Sequence, residues 1–189
     1  MRVLGFALLA LFSISAEAQK FGAGIGVKGG FPFTDLIDTT SLAPPGFSLN
    51  QNNNYLVGPA AEIRIPFGFA FEVDGLYRGT QYHIANGGTL PTSFNSASWE
   101  VPYLGKFRFP IPLLKPFVVA GGAWRTFTDL PSNVSVSHNA FVAGGGLELR
   151  ISRLRLSGEA RYLRWGSPSS NLAVKLAQNQ GEILFGIMF

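Results

Sequence analysis

Apolar and charged residues change places with a period of two along most of this chain, a pattern that belongs to half-buried β-strands. Ser98–Phe109 carries it most clearly. Trp99, Val101, Tyr103, Phe107 and Phe109 fall on one side with Gly105, and Glu100, Pro102, Leu104, Lys106 and Arg108 on the other. Over Phe69–Tyr82, Phe69, Phe71, Val73 and Tyr77 oppose Glu72, Asp74 and Arg78. Over Leu154–Trp165, Leu154, Leu156, Ala160 and Tyr162 oppose Arg155, Ser157, Glu159 and Arg161. Over Gln180–Phe189, Ile183, Phe185, Ile187 and Phe189 oppose Glu182, Leu184, Gly186 and Met188. Phe21–Phe33, Tyr55–Pro66, Pro116–Phe127 and Ala140–Ile151 bring the set to eight strands of about ten residues. Glu62 and Arg64 mark the polar side of the second strand, Glu148 and Arg150 that of the sixth, and Arg125 alone that of the fifth.

The two faces differ in kind, and that difference decides which one points inward. A soluble barrel of the lipocalin type fills its interior with apolar side chains and gives the polar ones to water. Seventeen Phe, three Trp and five Tyr are too bulky for a small eight-stranded interior. A lipid-facing band with aromatic girdles accommodates them, with the charges turned into the lumen. Composition agrees: 47% of the residues are hydrophobic and 14% charged, against about 25% charged in an ordinary soluble domain. The expectation is an all-β fold, an eight-stranded antiparallel up-and-down transmembrane β-barrel. Its inverted counterpart, a secreted lipocalin-like binder, is the alternative.

The N-terminus reads as an export signal. Met1-Arg2 supplies a positive start, Val3–Phe12 is continuously apolar, and Ala16-Glu17-Ala18 is a small-x-small cleavage pattern. Cleavage after Ala18 divides the chain into a signal peptide, 1–18, and a barrel domain, 19–189. Val3–Phe12 is too short to span a bilayer, and no later run of about 18 apolar residues offers a membrane helix. The chain has no Cys, which removes thiol catalysis and Cys-based metal sites. The net charge of +4 comes from scattered basic residues with no cluster, so nucleic acid is not an expected partner.

Connection lengths alternate as well. Phe67-Gly68, Pro110–Lys115 and Ser152-Arg153 are short, whereas Thr34–Asn54, His83–Ala97, Thr128–Asn139 and Gly166–Asn179 are longer and polar. Outer-membrane barrels place short turns toward the periplasm and long loops outside the cell. Asn50–Asn54 and the Asn-, Gly- and Ser-rich stretches read as solvated loops, with sugar or protein binding as the functional alternative.

Several strands resemble a known family. Ser98–Phe109 (SWEVPYLGKFRF) is similar to the Glu-apolar-Pro-apolar strand of the outer membrane β-barrel domain family, which includes PorT-like proteins and stands close to OmpA-like eight-stranded barrels. Phe71–Gly79 (FEVDGLYRG) resembles that family's Glu-Leu-Leu-Tyr strand, with Asp74-Gly75 in place of the usual acidic-apolar pair. Gly26–Gly30 resembles its first strand and Lys115–Gly121 its fifth. The resemblance implies a bacterial outer-membrane location, with outer-membrane lipid around the wall. Phe185, Ile187 and Phe189 are similar to the C-terminal signal read by the outer-membrane assembly machinery, the partner expected during biogenesis. The resemblance implies little about activity.

The candidate site is the lumen. Glu62, Glu72, Asp74, Glu100, Glu148, Glu159 and Glu182 fall on the inward face, as do Lys28, Arg64, Arg78, Lys106, Arg108, Arg125, Arg150, Arg155 and Arg161. Eight strands leave room for little more than side chains, and unpaired charges there would cost several kcal/mol each. A structural network of ion pairs plugging the lumen is therefore the expected arrangement, in a monomer that displays its loops at the cell surface. A small ion channel is one alternative. A lipid A-modifying enzyme is another, and it would need a His-Ser pair with an acid at the extracellular rim, where His83 and His138 fall. These two His are far apart and give no metal-site spacing, and no cofactor is expected.

Overall fold

The computed structural model describes residues 21–33, 47–86, 92–128, 137–166 and 178–189. The expected signal peptide, including Ala16 and Ala18, lies outside them. The strands are β1 (Gly22–Pro32), β2 (Phe47–Arg64), β3 (Phe69–Asp74), β4 (Leu76–Asn86), β5 (Thr92–Arg108), β6 (Leu114–Phe127), β7 (Asn139–Ile151), β8 (Leu154–Trp165) and β9 (Asn179–Met188). Every pairing is antiparallel and between neighbours in sequence, save that β3 and β4 each lie between β2 and β5. β1 closes the sheet on β9, from Gly26↔Met188 to Pro32↔Glu182. β3 and β4 are two halves of one stave, so the wall is a closed eight-stranded antiparallel barrel. Their register is unbroken, with Ala60↔Asp74 before the gap and Val57↔Tyr77 after it. The interruption falls opposite Pro59, which accepts from the Gly75 N–H at 2.9 Å but has no N–H to return.

Alternation carries straight through to the two surfaces. Phe71, Phe141, Phe185 and Ile25 are more than half exposed on the outside, while Glu72, Glu100, Arg161 and Lys28 are buried. A lipocalin-like barrel would turn the aromatics inward, and this wall turns them outward. Three tight turns close one rim. Pro66–Gly68 is a single 3-10 turn in which Phe67 and Gly68 take φ of 67° and 86°. Gly68 is required there, because a Cβ would lie 2.6 Å from the Arg108 carbonyl oxygen. Leu113 and Ser152 take left-handed φ of 69° and 56° in the other two turns.

At the opposite rim three strands run further than the alternation suggests. Asn50–Asn54 belongs to β2 and not to a solvated loop, and His83 belongs to β4. Asn50 pairs with His83, Gln51 with Tyr82 and Asn52 with Gln81, followed by a register shift between Asn52 and Tyr55. β5 continues alongside, with Tyr82↔Phe94 and His83↔Ser93. Backbone pairing in a hairpin needs no apolar face, so a polar composition does not prevent it.

Candidate functional site: the charged barrel interior

The inward positions of β1 explain how long side chains fit into so small a lumen. Four of them are glycines, Gly22, Gly24, Gly26 and Gly30, and Lys28 is the one long side chain among them. A Cβ on Gly24 would lie 2.2 Å from Nη2 of Arg155, so the missing side chain is the space the guanidinium occupies.

A continuous ion-pair network fills the half of the barrel nearer the short turns. Glu62 accepts from Arg108 and, at 2.6 Å, from Nη1 of Arg155. Arg108 also donates through Nε to both oxygens of Glu148 at 3.1 Å. Lys106 links this group to the next: its Nζ is 3.7 Å from Glu62 and donates to Glu72 at 3.0 Å. Lys28 donates to Glu72 and, at 2.9 Å, to Glu159, with Asp74 3.5 Å away. Arg161 completes the group with donations to Asp74 at 2.7 Å, Glu159 at 2.5 Å and Glu72 at 3.1 Å.

A smaller cluster lies toward the other rim. Arg78 bridges Glu100, Nε to Oε1 at 2.8 Å, and Glu182, Nη2 to Oε1 at 2.5 Å. Beyond it the Arg125 guanidinium stacks 3.8 Å from the Trp165 ring centroid and 5.0 Å from that of Phe127. The Trp165 indole donates to Gln180 at 2.9 Å. Burying an aromatic beside a cation in this way desolvates both and strengthens their attraction.

Of the sixteen expected interior charges, fourteen are buried. The seven carboxylates are matched by seven cations: Lys28, Arg78, Lys106, Arg108, Arg125, Arg155 and Arg161. Arg64 is half-buried at the rim, donating to the Ala23 carbonyl at 2.7 Å. Arg150 corrects the expectation: it is exposed and bonds the Ser152 carbonyl at 3.2 Å, because its inward position is the last before the turn and opens to solvent.

The interior also holds apolar clusters that the charge pattern did not announce. One comprises Leu104, Phe117, Val119, Ala123, Ala140, Val142, Leu163 and Trp165. The other is Leu56, Leu76 and Leu184. Strand phase was the available signal, since Phe117, Val119 and Ala123 are in step with Arg125. His138 is exposed and its Nδ1 lies 2.9 Å from the Arg125 carbonyl oxygen, with its ring stacked on Trp124 at 6.5 Å. Among the described residues no group of His and carboxylates is arranged to hold a metal ion. Phe185, Ile187 and Phe189 lie exposed on the outer face of the closing strand and just past its end.

The sequence matches no protein-family model and no curated protein. Its fold is similar to that of the outer membrane protein OprG from Pseudomonas aeruginosa, with a TM-score of 0.58 at 14% identity over 93% of this chain and 99% of that one.

Proposed function

We propose that this protein is a bacterial outer-membrane barrel whose lumen is closed to ions by its own side chains and whose role is structural or surface interaction. The observation that carries the reading is the pairing of seven buried carboxylates with the buried cations Lys28, Arg78, Lys106, Arg108, Arg155 and Arg161 inside a wall that is apolar outside. No soluble arrangement benefits from that order of faces, whereas lipid requires a closed, apolar, edge-free wall. By connection length, the three tight turns face the periplasm and the extension of β2, β4 and β5 faces outward. The finer kinship with PorT-like and OmpA-like barrels rests on the strand motifs quoted above. In this reading Met1–Ala18 directs export, Phe185, Ile187 and Phe189 are read by the assembly machinery, and the barrel works as a monomer surrounded by outer-membrane lipid.

Electrophoresis of the refolded mature chain, with and without boiling, tests the reading. The expected result is refolding only in detergent or lipid and a band that shifts on boiling. A monomer that folds in plain buffer without detergent would overturn it. Neither the small-channel reading nor the lipid A-modifying reading is favoured by a specific contact: the buried carboxylates are all in ion pairs, and the His138 ring meets the Arg125 carbonyl and the Trp124 ring.

A further inference from the structure

Cations outnumber acids at the short-turn mouth of the lumen. Arg64, Arg108, Lys115, Arg150 and Arg155 take inward positions there, around the two carboxylates Glu62 and Glu148. Glu62 is shared by Arg108, by Arg155 at 2.6 Å and by Arg64 at 3.8 Å. Glu148 is shared by Arg108 at 2.9 Å and Arg155 at 3.8 Å. Lys115 stands opposite Glu148 in register, yet among the described residues neither it nor Arg150 is in an ion pair. Lys106, on the inner side of the group, also serves Glu72.

The excess is concentrated at one place. Arg150 and Arg155 are direct cross-strand partners of β7 and β8, an arrangement of like charges that costs stability when nothing negative lies between them. Arg64 feels repulsion from both, and from Arg108, against attraction from Glu62. The guanidiniums of Arg64 and Arg155 lie over Gly22 and Gly24, neighbouring inward positions of β1 about 6.6 Å apart along the strand. Nε of Arg64 and Nη2 of Arg155 are buried donors without an acceptor, although the Phe189 carbonyl oxygen borders the same glycine as Nη2. Buried donors of this kind are ordinarily satisfied, so a missing acceptor here points to a ligand.

We propose that the short-turn mouth of the lumen is a binding site for a phosphate dianion, as free phosphate or a small phosphate monoester, held by Arg64 and Arg150 with Arg155 beneath. Guanidinium forks match the oxygens of phosphate, and two negative charges offset the excess that one would leave. The network of Lys28, Glu72, Lys106 and Arg161 fills the lumen beyond, so the ligand stays at the mouth. A lipid headgroup does not fit the same description, because these cations point inward and not along the outer wall.

Calorimetric titration of the refolded protein with sodium phosphate at pH 8 tests this, in dodecyl maltoside micelles at an ionic strength fixed with NaCl. One saturable site is expected. Arg64→Gln and Arg150→Gln should each weaken it roughly fivefold, and together abolish it. Arg164→Gln, an exposed charge near the other end of β8, should leave it unchanged. Phosphatidylglycerol added to the micelles should not displace the phosphate; displacement would make the occupant a headgroup and overturn the inference. No saturable binding, or equal weakening by Arg164→Gln, would also overturn it, and with the boiling-dependent shift intact would leave the barrel reading standing.

Discussion

The two ion clusters inside this barrel solve the same problem with different redundancy. In the half nearer the short turns, each of Glu62, Glu72, Asp74, Glu148 and Glu159 lies within reach of at least two cations. Toward the other rim a single guanidinium, Arg78, bridges both Glu100 and Glu182. Redundancy spreads a charge over several partners, so one lost partner is partly covered by the rest. A shared bridge has less cover, and its loss leaves two carboxylates facing a low-dielectric interior beside Leu76 and Leu184.

The largest expected effect follows from that contrast. Arg78→Met should cost about 3–5 kcal/mol, the range for removing one partner of a buried pair, read as the urea midpoint of unfolding from lipid vesicles. Adding Glu100→Gln and Glu182→Gln should recover much of the loss. If Arg78→Met alone costs no more than a surface substitution, the bridge is not what neutralises these acids. Lys106→Met sharpens the comparison, with an expected cost of about 1–3 kcal/mol, because Lys28 and Arg161 still serve Glu72. A cost equal to that of Arg78→Met would erase the distinction between the clusters. Trp165→Phe should cost about 1–2 kcal/mol, losing the indole bond to Gln180 and part of the stacking on Arg125. Arg150→Ala should stay within about 0.5 kcal/mol in the same titration, as expected of an exposed rim charge.

Arg150 also shows where the sequence stopped being readable. Period and phase placed it among the interior charges, but phase gives a direction and not a depth, and the last inward position before a turn meets solvent. The stretch Leu154–Tyr162 was legible, because one face meets the lumen and the other the exterior over that length. Asn50–Asn54 was not, since beyond the wall neither face of β2 need be apolar and the alternation vanishes while the backbone pairing continues. The apolar lumen residues were hidden for another reason. Val119, Val142 and Leu163 look like wall residues by type, and only their step with Arg125, Glu148 and Arg161 respectively places them inside. Partners across the lumen, such as Lys28 with Glu72 and Glu159, depend on strand stagger, which a single sequence does not carry.

Whether these side chains close the lumen is read from conductance across a planar bilayer in concentrated KCl. A closed lumen gives no stepwise current from the refolded protein, and steps once the middle of the network is emptied by Lys28→Ser, Glu72→Ser, Lys106→Ser and Arg161→Ser together. Regular, protein-dependent steps from the unmodified chain would contradict it.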